Sequence, residues 1–60
     1  MKKITKDTEK AIFKFERCAK DALEKVRNGE FVLAVTYLII MVNYTADMLA
    51  AIRNEQSRNE

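Results

Sequence analysis

The stretch RNGEF, residues 27–31, holds the only glycine of a 60-residue chain that contains no proline. Glycine and proline are the strongest local interruptions of regular structure. One such mark therefore predicts one break between two long elements. Gly29 is suited to the left-handed position that closes a helix at little cost. Working back from it, hydroxyl and carboxylate side chains between Thr5 and Thr8 can cap free amides, and Asp7 and Glu9 suit the positive end of a helix dipole. Working forward, helical periodicity runs to about Asn54, and EQSRNE, a polar stretch over residues 55–60, is expected to fray. The reading is all-α: a two-helix hairpin, about 5–28 and 31–54, in a single domain covering 1–60.

The first helix has one apolar face. Ile12, Phe15, Ala19, Ala22 and Val26 step by 3 and 4, Thr8 extends the stripe backwards, and Ala11, Cys18 and Leu23 flank it. Glu16 before Lys20 and Asp21 before Lys25 make ordinary solvated pairs on the other side.

The second helix is apolar around most of its circumference. FVLAVTYLIIMVNYTA, residues 31–46, runs sixteen positions without a charge in a chain where 33% of residues are charged. One stripe, Phe31, Val35, Leu38, Val42, Thr45, Leu49 and Ile52, alternates steps of 4 and 3 and is expected to cover helix 1. A second stripe contains Leu33, Tyr37, Ile40, Tyr44 and Ala51, and Ala34, Met41 and Met48 bridge the two. Only Thr36, Asn43, Asp47 and Asn54 form a polar strip. One partner helix covers about one stripe, so the other needs a second copy, a foreign protein or lipid. A homo-oligomeric bundle, most simply a dimeric four-helix bundle, is the expected solution. Its contacts between copies are expected at Leu33, Tyr37, Ile40, Met41, Tyr44 and Met48.

The uncharged run is shorter than the ~20 residues a bilayer needs and includes Thr36, Asn43 and Thr45, which argues against a membrane span. MKKITKDTEKAIFKFE, residues 1–16, alternates lysines and acids where a secretory signal would place its apolar core. A cytoplasmic location is expected.

The residue inventory disfavours an enzyme. There is no histidine and one cysteine, so neither an intrachain disulfide nor a zinc or haem site of ordinary ligand type is expected, and no metal or other cofactor. A glycine-rich phosphate loop cannot be built on one glycine. Asp47 is the only acid inside the long apolar region, and Cys18 beside the apolar stripe reads as a small packed hydrophobe. No catalytic residue is assigned.

One surface feature remains. Lys3, Lys6, Lys10, Lys14 and Arg17 step by 3, 4, 4 and 3 into a basic ridge about 20 Å long on a helix, with Phe13 at its edge. Net charge is only +2, so the placement of charge matters more than its sum. A basic row with an adjacent aromatic suits an acidic protein, a nucleic-acid backbone or an anionic nucleotide. The leading expectation is a non-enzymatic, obligately oligomeric binding or regulatory protein, an inhibitor being one form of it, that uses this ridge. The alternatives are a nucleic-acid or cyclic-nucleotide binder, and a small membrane-associated protein.

The segment ALEKVRNGEFVLAVTYLIIMVNYTADMLAA, residues 22–51, resembles the helix-turn-helix pairs of tetratricopeptide-type hairpins and of HEPN bundles, which also place a glycine, an aromatic and an alanine at such a turn. Here these are Gly29, Phe31 and Ala34. The HEPN ribonuclease motif needs a histidine, so that activity does not transfer. Two helices in about 60 residues is similar to the Rop family of plasmid RNA-binding dimers. LAVTYLIIMVNY, residues 33–44, is similar to helical hairpins of phage proteins that sequester cyclic nucleotides.

Overall fold

The structure, a computed structural model, describes residues 3–58. It is a hairpin of two antiparallel helices, α1 (Lys6–Arg27) and α2 (Phe31–Arg58). The turn is built as the sequence requires. Gly29 has φ 75°, the only positive φ among the described residues. Around it the Glu30 amide donates to the Lys25 carbonyl at 2.9 Å and the Gly29 amide to the Val26 carbonyl at 3.1 Å. These are the two crossed bonds of a Schellman motif, which satisfy carbonyls that a helix end otherwise leaves open. Lys25 and Glu30, which flank the motif, also approach to 3.7 Å as an exposed ion pair of small energetic worth. The Glu30 carbonyl accepts the Ala34 amide at 3.0 Å, so α2 begins almost where α1 stops.

The helices pack through small residues. Ala22 is 0% and Ala34 2% exposed, and Cys18 and Thr8 are also buried. The Cys18 thiol donates to the Tyr37 carbonyl at 3.3 Å, a weak bond that marks the register. One helical turn towards the loop, that register sets Ala22 level with Ala34. On α1 the sheltered stripe includes Thr8, Ala11, Phe15, Cys18, Ala22 and Lys25; on α2 it is Ala34, Tyr37, Met41, Tyr44, Met48, Ala51 and Glu55. Both step by 3 and 4.

The two stripes of α2 are thus exchanged relative to the sequence expectation. Tyr37, Met41, Tyr44 and Met48, expected to meet another copy, are half-buried against α1. Leu33 and Ile40 beside them stay exposed, while Phe31, Val35, Leu38, Val42, Leu49 and Ile52, expected to cover α1, are open to solvent. The reason is closeness of approach. The inner stripe of α2 carries alanine at 34 and 51, facing a helix whose own inner stripe carries Ala11, Cys18 and Ala22. Small side chains let backbones come together, while the long unbranched Met and flat Tyr fill the space left between them.

The outer apolar stripe does not scatter over the surface. In a right-handed helix each successive residue advances about 100°, and an antiparallel pair mirrors that sense of rotation. Residues just after the inner stripe on both helices therefore fall on the same side of the hairpin. That side collects Ile12, Ala19, Leu23 and Val26 from α1 with Val35, Leu38, Val42, Leu49 and Ile52 from α2, alongside Glu9, Glu16 and Thr45. Residues just before the inner stripe collect on the opposite side: Asp7, Lys10, Lys14, Arg17, Asp21 and Glu24 with Leu33, Thr36, Ile40, Asn43, Asp47 and Asn54. The hairpin has one largely apolar face and one polar face, on which Lys10, Lys14 and Arg17 form a basic run between acids at either end.

It also has little interior. It measures 45 × 18 × 13 Å with a radius of gyration of 14.0 Å, against about 10 Å for a compact chain of this length. Its accessible surface is 5067 Å², whereas a compact 7.0 kDa protein exposes about 4,000 Å². The surplus is on the order of 1,000 Å².

Candidate functional site

Among the described residues, a depression lies on each face of the helix pair. On the apolar face, at the end where the chain termini meet, Ile4, Thr8, Ile12, Met48, Ile52, Glu55 and Gln56 surround a shallow hollow. At its edge lies a polar knot that the sequence did not reveal. Thr5 is the N-cap of α1, its hydroxyl accepting the Thr8 amide at 3.3 Å. The usual capping box would add a glutamate three residues on, reaching back to the cap's own amide. That position is Thr8, and the carboxylate comes instead from Glu55 of α2. Its Oε2 accepts the Thr5 amide at 2.9 Å, the Thr5 hydroxyl at 3.0 Å and the Thr8 hydroxyl at 2.6 Å. Its Oε1 accepts Arg58 Nη2 at 2.6 Å, and the same nitrogen donates to the Lys3 carbonyl at 3.0 Å. The region expected to fray from residue 55 is helical to Arg58 for this reason.

The Thr5 amide, the Thr8 hydroxyl and the Arg58 guanidinium, in that order, hold the Glu55 carboxyl down from 4.5 to about 2, against a smaller opposing effect of desolvation. A carboxyl whose pKa is depressed on folding stabilises the fold above its unfolded pKa and loses that effect as pH falls through the folded value. The difference in melting temperature between wild type and Glu55→Gln is therefore expected to be widest above pH 5 and to close between about pH 4.5 and pH 2. Thermal melts of both proteins across that range check this. A gap that stays constant with pH would show that the carboxylate's charge is not what the knot uses.

The second depression lies on the polar face, with a volume of about 450 Å³ and a lining of Phe13, Lys14, Arg17, Cys18, Asp21, Tyr37, Ile40 and Tyr44. Here α1 contributes the cations and Phe13, and α2 contributes Ile40 and the two tyrosines. Phe13, 60% exposed, is covered by the Arg17 guanidinium, whose central carbon stands 5.5 Å from the ring centroid. That contact holds a flexible cation in place at small cost. The ion pairs among the described residues are Lys25–Glu30 and Arg58–Glu55. Lys14 and Arg17 thus face this groove without a carboxylate at salt-bridge distance.

Of the expected ridge residues, Lys6, Lys10, Lys14 and Arg17 lie exposed on α1, together with Phe13. Lys3 does not join them, because α1 begins at Lys6 and Lys3 is non-helical, its carbonyl engaged by Arg58. The helical ridge is about 16 Å long rather than 20. Asp47 is exposed on α2, two turns along from Ile40 on the same face as the basic run. Among the described residues, no group of three histidine, cysteine, aspartate or glutamate side chains comes together as a metal site.

Sequence missed Tyr37, Ile40 and Tyr44 as companions of the ridge. The available clue was that they share one side of α2, but which helix face they would meet depended on the stripe assignment. By length and composition, α2 is apolar enough to cross a membrane, with a mean hydropathy of 1.6 over its best window, although the uncharged run inside it is shorter. Comparison with protein-family models, curated proteins and solved structures returns no match.

Proposed function

We propose that this chain is a non-enzymatic binding or regulatory protein that works as a homo-oligomer, most simply a dimeric four-helix bundle, with the basic run Lys10, Lys14 and Arg17 of its polar face turned to an anionic partner. The observation that carries the reading is the division of the hairpin into two unlike faces. The apolar face holds Leu23 and Val26 of α1 and Val35, Leu38, Val42, Leu49 and Ile52 of α2, all exposed. Its seam on α2 keeps a 4,3 repeat from Phe31 to Ile52, the spacing of knobs-into-holes packing. The one hydroxyl in that seam, Thr45, donates to its own helix at the Met41 carbonyl, 2.9 Å away, so it needs nothing from a neighbour. A surplus of about 1,000 Å² is close to the ~800 Å² that each partner gives up in a stable protein interface. On this reading the contacts between copies run along this seam instead of the expected Leu33, Tyr37, Ile40, Met41, Tyr44 and Met48.

A second reading rests on the hydropathy of α2, in which only Ala34 is buried: the apolar face lies against a membrane. Against a span stands α1, which is antiparallel to α2 along its length and carries charged residues at every turn. The two readings separate in one experiment. Sedimentation velocity of the detergent-free protein is expected to give at least twice 7.0 kDa, with no flotation on neutral or anionic vesicles. A folded species of single-chain mass overturns the oligomer. Flotation of a single-chain species supports the membrane reading in its place.

A further inference from the structure

We propose that the groove on the polar face binds a small aromatic anion, a flat ring carrying a phosphate or carboxylate, such as a nucleoside monophosphate or an aromatic acid. The proposal deepens the reading above by naming what meets the basic run, and it rests on that reading only in that the opposite, apolar face is taken up by self-association.

Three features meet in this groove. The first is charge complementarity. Lys14 and Arg17 are one helical turn apart on the same flank of α1, and neither has a carboxylate at salt-bridge distance among the described residues. Two cations held together repel each other, so an anion that bridges them relieves a cost already present in the fold. The second is the apolar and aromatic wall. Phe13, Tyr37, Ile40 and Tyr44 line the same hollow, whereas a site for a bare phosphate has no use for three rings and an isoleucine. The planar guanidinium of Arg17, braced on Phe13, offers its outer side as a further stacking surface. The third is size. About 450 Å³ falls within the range of small-molecule pockets, and the groove sits between two helices whose register is marked by the Cys18–Tyr37 contact. Asp21 closes one end and supplies an acceptor for a ring amino or hydroxyl group. The anionic group is thereby directed to the Lys14 and Arg17 end and the ring to the Tyr37, Ile40 and Tyr44 wall.

The test is isothermal titration of the full chain with adenosine monophosphate, 4-hydroxybenzoate and inorganic phosphate, with the mass of each sample measured in parallel. The ring-bearing anions are expected to bind at least ~10-fold more tightly than inorganic phosphate. The difference between the first two tells a nucleotide from an aromatic acid. Arg17→Gln and Lys14→Gln are each expected to weaken binding by roughly tenfold. Lys6→Gln, on the same ridge but outside the groove, is expected to leave it within about twofold. All three positions are exposed on α1, so circular dichroism should be unchanged. Equal binding of inorganic phosphate and the nucleotide overturns the proposal, as does equal weakening by Lys6→Gln and Arg17→Gln, which would mark diffuse attraction to the ridge. Absence of heat with all three probes at about 1 mM overturns it too. An oligomer without binding removes the groove alone, and a monomer that binds removes the assembly alone.

Discussion

Val42→Asp is expected to dissociate the oligomer and to unfold most of the chain with it. Within one hairpin Val42 is 66% exposed, and a substitution at such a surface position ordinarily changes stability by less than about 0.5 kcal/mol. In an assembly through the apolar face the same residue lies at the centre of the seam. Burying a valine there contributes roughly 1.5 kcal/mol or more per copy, and an aspartate leaves an unpaired charge whose desolvation costs several kcal/mol. A separated hairpin has four buried residues among those described and no large side chain fully enclosed, so little remains to hold it folded. Asn43→Asp, the adjacent position on the polar strip, is the control and should keep both mass and helicity. Sedimentation velocity with circular dichroism reads the outcome. A Val42→Asp protein with the mass and helix content of wild type would mean that this face has no protein partner.

Ala22→Leu is expected to be the most damaging change inside the hairpin. Ala22 is 0% exposed and, by the register of the Cys18–Tyr37 contact, stands level with Ala34 at 2%. No void receives the added carbons, so the helices must separate or the side chain must leave its rotamer, at a typical cost of about 1–3 kcal/mol. For a domain this small each kcal/mol shifts the melting temperature by about 4–8 °C. A loss on the order of 10 °C is therefore expected in thermal melts. Ala46→Leu, exposed on α2, makes the same chemical change without the clash and should melt near wild type. Equal melting of the two variants would show that the helices do not meet at their alanines.

Much of this architecture can be read from local rules. A single glycine, polar caps and unbroken helical periodicity gave two helices and placed the turn to the residue, because each of those features acts over a few positions. The apportioning of α2's faces was not legible. Two stripes with the same 3,4 spacing interleave on that helix, and the sequence reading gave α1 the more aliphatic one. Packing selected the stripe with alanines at 34 and 51, because small residues at those points let the backbones approach while the tyrosines and methionines between them fill the remaining space. The groove was half legible for the same reason: Lys14, Arg17 and Phe13 lie on one helix in plain order, whereas Tyr37, Ile40 and Tyr44 join them only once the faces are known. The end of α2 was missed because its stabilising partners are 47 and 50 positions away. Residues 55–58 look like a polar tail to any window that does not also contain Thr5 and Thr8.

That distance has a consequence for how the chain comes off the ribosome. Thr5 and Thr8 leave the ribosome well before Glu55, whose carboxylate completes their cap. A nascent chain can close its turn at Gly29 and begin to pair Ala22 with Ala34 while the Thr5 amide, which Glu55 accepts in the folded hairpin, still has no acceptor but water. Only when translation has passed Glu55 is that start sealed. This placement favours closure from the loop outward, with the start of α1 completed last.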